Sequence, residues 1–203
     1  MTLQEFKVGV LRKLYAIKAV AYRLKGVCIG KGSFISGFPH IFMKRRNQIV
    51  LGNNVTLHSK KKYNPLMRHR ITLAAVTPEA KIEFADNSGA SGCTVICASH
   101  ISVGRYTILG AGCVLYDCKE HEYSPRTGWF SCRKKTGAPI KIGNRCYIGM
   151  DCIILKGVTI GDNCVISAGT IIKEDVPAGH LAQGNPAVYT PLPERLTVVE
   201  EDE

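Results

Sequence analysis

The sequence predicts an all-β solenoid of short parallel strands with a short α-helix at its N-terminal end. The main observation is an isoleucine at every sixth position, at Ile142, Ile148, Ile154, Ile160, Ile166 and Ile172. A helix would repeat at about 3.6 residues and a half-buried strand at 2, so six residues must build one flat face. Four residues after each isoleucine stands a small or β-branched residue, at Cys146, Cys152, Val158, Cys164 and Thr170. This pairing allows short strands to turn a corner and stack on the coil below.

The six-residue step also occurs earlier in the chain, with interruptions. Large inward residues are expected at Ile29, Ile35, Leu51, Leu57, Cys97, Val103, Leu109 and Leu115. Residues 43–48 break the phase, and residues 59–70 are predicted to form a polar, basic loop. Residues 116–139 fit no repeat and contain the only tryptophan of the chain. A long excursion from a regular scaffold is where function tends to lie, because the scaffold holds its ends rigidly.

A helix is predicted over residues 3–25 by apolar residues at steps of four and three. These residues are Phe6, Val10, Leu14, Ile17, Ala21 and Leu24. Basic residues occupy the other faces of this helix. Two roles remain open: the helix caps the open end of the solenoid, or it lies on a membrane surface.

Length and composition predict one domain. The chain has 203 residues, 45% of them hydrophobic, which is enough for one sizeable core. We divide it into an N-terminal helix (1–26), the solenoid (27–188) with an active-site loop (116–139), and a C-terminal tail (189–203). No apolar run reaches the roughly 18 residues of a membrane span, and no signal peptide is evident. A cytoplasmic protein is expected.

The net charge of +11 is concentrated in the first part of the chain. Residues 1–80 contain 15 Lys and Arg against two acidic residues, and the remainder contains 12 against 14. Anionic lipid headgroups, a lipid-diphosphate carrier or an acidic glycan would suit such a surface, and so would a simple role in solubility. Nucleic acid is not expected, because no recognised nucleic-acid module is present.

The nine cysteines are interpreted as packing residues rather than disulfides or zinc ligands. Cys113, Cys146, Cys152 and Cys164 occupy the small inward position of the repeat, where cysteine behaves as a small hydrophobe. No C-x-x-C pair occurs, and no convergent histidine trio is evident. We therefore expect a reducing compartment and no metal.

The repeat and its flanking motifs resemble the hexapeptide-repeat acyltransferases. The residues that carry the resemblance are Ile142-Gly-Asn-Arg-Cys-Tyr-Ile-Gly, Val158-Thr-Ile-Gly-Asp-Asn-Cys-Val-Ile, Asp175-Val-Pro and Gly184-Asn-Pro-Ala187. The resemblance runs from about residue 29 to 188 and is strongest to sugar and polysaccharide O-acetyltransferases. It implies a left-handed parallel β-helix, a homotrimer and acetyl-CoA as acyl donor.

Acyl transfer from a thioester to a hydroxyl needs a base, and His121 is the candidate. It opens the excursion just past a regular coil, and imidazole can take a proton near neutral pH. The family places its catalytic histidine at the end of a stretch like Asp-x-Asp-x-His, which this chain matches at Asp117 and His121. The second acidic position is Lys119, so Asp117 or Glu120 must orient the imidazole, and Asp117 is preferred.

The resemblance also suggests binding residues. Asn87 and Ser91 match a family stretch near the acceptor, although they also fit an ordinary turn; Trp129 of the excursion completes the expected acceptor site. For the acyl carrier, the resemblance implies backbone groups at Gly149 and Ala168, and Lys173 against a CoA phosphate.

The sequence thus predicts an acetyl-CoA-dependent O-acetyltransferase acting on a sugar or a surface polysaccharide precursor. Two alternatives remain open: a non-catalytic β-helix scaffold, and an N-acetyltransferase acting on an amino sugar. The basic N-terminal part adds an expected peripheral contact with an anionic membrane, at the inner membrane face.

Overall fold

The structure of the chain is a computed structural model that describes residues 18–196, without the side chains of residues 120, 130–134 and 195. Helix α1 covers residues 18–24. The strands are β1 (Cys28–Ile29), β2 (Phe34–Gly37), β3 (His40–Phe42), β4 (Ile49–Leu51), β5 (Thr56–Ser59), β6 (Thr72–Ala75), β7 (Lys81–Phe84), β8 (Gly89–Ser91), β9 (Thr94–Cys97), β10 (His100–Val103), β11 (Ile108–Leu109), β12 (Val114–Tyr116), β13 (Cys118–Ser124), β14 (Gly128–Gly137), β15 (Ile140–Ile142), β16 (Tyr147–Ile148), β17 (Ile153–Leu155), β18 (Thr159–Ile160), β19 (Val165–Ile166), β20 (Ile171–Ile172), β21 (His180–Gln183) and β22 (Val188–Pro191). A short 3-10 helix, Glu194–Leu196, follows them.

Three sheets form the three faces of one solenoid. Face A has the strand order β1-β4-β7-β10-β15-β18, face B the order β2-β5-β8-β11-β16-β19-β21-β22, and face C the order β3-β6-β9-β12-β17-β20. Strands within a face are parallel, except for β22, which pairs antiparallel with β21. Each coil takes one strand from each face in turn, so the chain climbs through six coils, and β21 begins a seventh.

The register of the strands explains the six-residue period. Residues eighteen apart pair directly: Ile142 with Ile160, Ile148 with Ile166, and Ile154 with Ile172. Each of these side chains is at most 3% exposed. Six residues therefore build one face and eighteen build one coil, which stacks isoleucine on isoleucine along the core. A slip of one residue would turn the whole stack outward.

The small inward positions lie at the corners between faces, as the sequence predicts. Cys146, Cys152 and Cys164 are at most 2% exposed. Their thiols donate to the carbonyl oxygens of Gly161, Ser167 and Pro177 in the next coil, at 3.1, 3.1 and 3.0 Å. All cysteines whose side chains are described are free thiols. Their role in packing is confirmed.

Each of five turns from face A to face B contains one non-glycine residue in the left-handed backbone region. They are Asn54, Asn87, Tyr106, Arg145 and Asn163, with φ between 53° and 60°. Asparagine tolerates this conformation better than other residues that carry a Cβ. Tyr106 and Arg145 adopt it in adjacent coils, where the Arg145 guanidinium lies 5.8 Å from the centre of the Tyr106 ring.

The irregular segments of the early coils are held by specific contacts. The buried Gln48 amide accepts from the N–H groups of Lys44 and Arg45, both at 2.7 Å, and donates to three carbonyl groups of residues 77–80. The predicted loop 59–70 lies against the coils, because Met67 is 2% exposed. Its Arg68 reaches Asp151 in coil 5 at 2.8 Å.

Helix α1 closes the first-coil end of the core. Tyr22 and Val27 are buried and belong to the core, while the Arg46 guanidinium donates to Leu24 O at 2.8 Å. The predicted helix 3–25 is confirmed over 18–24, and residues 3–17 lie outside the described part of the chain. At the other end, β22 includes residues 189–191, which we had assigned to the tail. No helix within residues 18–196 is long and apolar enough to cross a bilayer.

The packing role of the corner cysteines predicts a measurable stability effect. Cys152→Ala should lower the free energy of unfolding by about 1–2 kcal/mol, because it leaves a small cavity in a closed corner. Urea unfolding followed by circular dichroism measures this change.

The matched control is Cys28→Ala, since Cys28 is only partly buried and its loss should cost less than about 0.5 kcal/mol. Equal stabilities for both variants would contradict the packing role of Cys152.

Candidate functional site

The excursion predicted at 116–139 is an antiparallel β-hairpin. Strands β13 and β14 pair from Cys118 with Gly137 to Ser124 with Gly128, with an irregularity between Lys119 and His121. The hairpin leaves face C after β12 and returns to face A at β15. It therefore projects from the corner between faces C and A, at the step from coil 4 to coil 5.

Asp117 anchors the base of this hairpin. Its side chain is fully buried, and its carboxylate accepts from the N–H groups of Ala98 at 2.6 Å and Ser99 at 2.9 Å. Its backbone oxygen accepts from Ala138 N–H at 2.8 Å, which ties the two ends of the hairpin together. The Cys97 thiol also donates to the carboxylate, and burial together with this negative charge raises the pKa of Cys97.

These contacts correct the role expected of Asp117. No hydrogen bond joins its carboxylate to His121 among the described side chains, so it does not orient the imidazole here. It instead fixes where the hairpin leaves the coil. Sequence motifs align both residues in one short stretch, but Asp117 still belongs to the buried corner, while His121 is already on the hairpin.

His121 lies on β13 opposite Ser131, and its side chain is exposed. The neighbouring Lys119 ammonium pairs with the Glu122 carboxylate at 3.3 Å. Further along the hairpin, the Tyr123 and Trp129 rings face each other with centroids 5.5 Å apart. Trp129 is 74% exposed. The hairpin thus presents an imidazole and an aromatic pair to solvent.

The two predicted acceptor residues lie on face B rather than beside the hairpin. Asn87 occupies a left-handed turn position, and its side-chain oxygen accepts from the Asn54 amide at 3.1 Å. Ser91 ends β8 and is half-buried. Within one chain, the structure therefore does not bring Asn87 and Ser91 together with His121.

The predicted carrier residues Gly149 and Ala168 are brought together. They lie in successive coils at the corner between faces B and C, and a Cβ added to Gly149 would come within 2.5 Å of Ala168 N. Only glycine fits at this position. Ala168 is exposed, and no described residue forms a hydrogen bond with its N–H or C=O. An unoccupied donor and acceptor thus lie on an open corner.

Lys173 lies at the far end of β20 from Ala168, at a cleft of about 440 Å³. The cleft is lined by Ile171, Lys173, Glu174, Asn185, Pro186, Ala187 and Tyr189. The Asn185 side chain accepts from Ile171 N–H and donates to Gly169 O, each at 2.8 Å. Burial and the nearby Glu174 charge raise the pKa of Tyr189.

Sequence reasoning missed two parts of this region. Asn185 and Tyr189 were not proposed as cleft residues, although the motif Gly184-Asn-Pro-Ala187 carried part of the resemblance. The contact of Arg68 with Asp151, beside the Gly149 corner, joins residues 83 positions apart and leaves no local signal. No group of three or more possible metal ligands occurs among the residues that the structure describes.

Comparison with known proteins agrees with the repeat and the fold. Residues 139–174 match the family model described as the hexapeptide repeat of succinyl-transferase. Galactoside O-acetyltransferase of Escherichia coli is 52% identical over 48 residues, or 24% of each chain. An inferred acetyltransferase of Schizosaccharomyces pombe is 34% identical over 96 residues, which cover 47% of this chain and 44% of that protein. The chain spans less than half the length of the first of these curated relatives.

Among solved structures, a mutant of AntD matches the whole solenoid. AntD is an N-acyltransferase from Bacillus cereus, solved with dTDP-4-amino-4,6-dideoxyglucose and coenzyme A. The match covers 86% of this chain and 88% of that chain at 16% identity, with a TM-score of 0.65. At this identity the match establishes the fold alone. This chain is a hexapeptide-repeat protein with a left-handed parallel β-helix, related to acetyltransferases that include a galactoside O-acetyltransferase.

Proposed function

We propose that this protein transfers an acetyl group from acetyl-CoA to a hydroxyl group of a sugar or surface polysaccharide precursor, with His121 as general base. The observation that carries the proposal is the placement of His121 on a hairpin that is anchored to a rigid coil by the buried Asp117. The acetyltransferase names of the relatives support the reaction class. The galactoside O-acetyltransferase supports a sugar hydroxyl as acceptor.

In this reaction the acceptor hydroxyl attacks the thioester carbonyl while His121 takes the hydroxyl proton. The tetrahedral intermediate then collapses, the carbon–sulfur bond breaks, and the CoA thiolate leaves with a proton returned by His121. An exposed imidazole suits this role, since it must reach an acceptor that arrives from solvent. Trp129 and Tyr123 offer flat apolar faces for a sugar ring beside it.

The corner and the cleft form the proposed carrier site. The amide of pantetheine can bond the open N–H and C=O of Ala168, while Gly149 keeps the corner free of side chains. Lys173 would meet a CoA phosphate at the cleft. Asn185 holds the two elements in place, because it bonds both Gly169 and Ile171.

A trimer would complete the acceptor site. The outward rows of face C are apolar, with Ile96, Val114, Tyr116, Ile153, Leu155 and Ile171 in register across β9, β12, β17 and β20. The outward rows of face A are polar, with Lys81, Glu83, His100, Ser102 and Lys141. Covering the apolar face with a second copy would bring a hairpin against another chain's face B, where Asn87 and Ser91 lie. We place this trimer in the cytoplasm, in peripheral contact with an anionic membrane.

Release of CoA thiol from acetyl-CoA tests the activity. A panel of free sugars, nucleotide sugars, oligosaccharides and amino sugars identifies the acceptor. Release with amino sugars alone would point to N-acetyl transfer, and no release with any acceptor would leave the scaffold hypothesis. Bound acetyl-CoA measured by calorimetry separates a silent scaffold from an enzyme that lacks its acceptor.

We expect His121→Ala to lower kcat by at least about 10²-fold, the usual contribution of a general base, with the Kd of acetyl-CoA nearly unchanged. The control is His40→Ala, an exposed histidine on β3 of the first coil, which should retain full turnover. If the His121 variant keeps most of its turnover, another group is the base.

We expect Lys173→Glu to raise the KM for acetyl-CoA by about tenfold or more, because a charged hydrogen bond contributes about 1.5–3 kcal/mol. The kcat at saturating acetyl-CoA should change much less. Lys141→Glu makes the same charge change on face A and should leave KM unaltered. Equal effects of the two variants would remove Lys173 from the carrier site.

Asp117→Asn should act on stability, because the amide cannot accept from both the Ala98 and Ser99 N–H groups with the strength of a carboxylate. A loss of about 1–3 kcal/mol in the free energy of unfolding is expected, measured by urea unfolding. A large loss of kcat at unchanged stability would instead return Asp117 to the catalytic machinery.

A further inference from the structure

Helix α1 has two faces with different roles. Tyr22 points into the core and closes it, but Val20 and Leu24 on the opposite side are 50% and 72% exposed. A helix that only capped the coil would gain nothing from apolar side chains turned toward water. This outward side needs a separate explanation.

More apolar side chains are exposed beside this helix. Phe38 and Phe42 of the first coil are 61% and 58% exposed. The Lys18 ammonium lies 4.4 Å from the centre of the Phe38 ring, which joins the start of the helix to Phe38. The Arg46 guanidinium bonds Leu24 O, which joins the end of the helix to segment 43–46. We call Val20, Leu24, Phe38, Phe42, Lys44 and Arg45 the first-coil surface.

The charge around this surface has one sign. Residues 18–78 contain twelve Lys and Arg and no Asp or Glu. Arg68 is neutralised by Asp151 of a later coil, whereas Lys44 and Arg45 are exposed beside Phe42. Cations that surround exposed aromatic and aliphatic side chains fit a partner with anionic groups above hydrocarbon.

We propose that the first-coil surface docks on an anionic lipid bilayer, and that the acceptor sugar is carried by a lipid in the same bilayer. The second part rests on the proposed acetyl transfer. Nucleic acid would satisfy the cations but would leave Leu24 and Phe38 without an apolar partner. Lipid headgroups pair with the cations, and the acyl boundary covers the apolar side chains.

The β-helix places the hairpin at a suitable height above such a bilayer. Adjacent strands lie about 4.8 Å apart, so coil 4, where the hairpin begins, lies about 14 Å from coil 1. A short glycan on a lipid anchor spans this distance. The carrier cleft, at β20 and β22, lies near the opposite end and stays open to soluble acetyl-CoA.

The test uses the full chain and sedimentation with vesicles of phosphatidylcholine, with and without phosphatidylglycerol. Binding is expected only to the anionic vesicles, with release as salt is raised. Lys44→Glu/Arg45→Glu and Leu24→Ser/Phe38→Ser should each lower partitioning at least about tenfold, since each basic residue near the surface contributes a factor of about five. Lys141→Glu/Lys156→Glu, the matched charge change on coil 5, should retain binding.

Activity then tests the acceptor. Both first-coil variants should lose acetylation of a lipid-linked oligosaccharide in anionic vesicles while retaining acetylation of the same oligosaccharide free in solution. Full binding by both variants, equal binding to neutral vesicles, or a self-association that the Leu24→Ser/Phe38→Ser change abolishes would overturn the docking proposal. Failure of thiol release with every acceptor would instead reject the acetyl transfer, whatever the vesicles show.

Discussion

The structure depends on parallel pairing between residues one coil apart. Because every inward residue rests on its equivalent in the next coil, each position of the repeat must satisfy the shape of its column. The isoleucine stack fills the faces, and the cysteine thiols fill the corners while bonding the next coil's carbonyls. The same constraint explains the left-handed turn residues, since a corner closes in few residues only if the backbone reverses its curvature there.

A scaffold of this kind can hold an insertion rigidly without enclosing it. The hairpin 118–137 has no neighbour in the three faces, and its placement depends on the buried Asp117 and on the bond from Ala138 to the Asp117 carbonyl. Loop 59–70 shows a second solution. It is held by burial of Met67 and by an ion pair to a distant coil. Exposed ion pairs contribute little stability, so burial is the stronger of these two contacts.

The two ends of the β-helix differ in charge and in shape. The first coils carry the basic residues and exposed aromatic side chains, and the last coil carries an open cleft with Lys173 at its edge. A solenoid separates such functions naturally, because each coil contacts only its neighbours. A donor site, a reactive hairpin and a docking surface can then be arranged along one axis at spacings set by the coil height.

The sequence by itself determined the repeat, the inward isoleucine and cysteine positions, the excursion at 116–139 and the stacking of Gly149 near Ala168. These follow from periodicity, which is a local property that each coil repeats. The tertiary structure decided what periodicity does not encode. It placed Asp117 in a buried corner rather than on His121, put Asn87 and Ser91 on another face, added Asn185 and Tyr189 to the cleft, and joined Arg68 to Asp151. Each of these depends on which residues meet after the chain has turned through whole coils, and the contacts between distant segments are settled only when the core is packed.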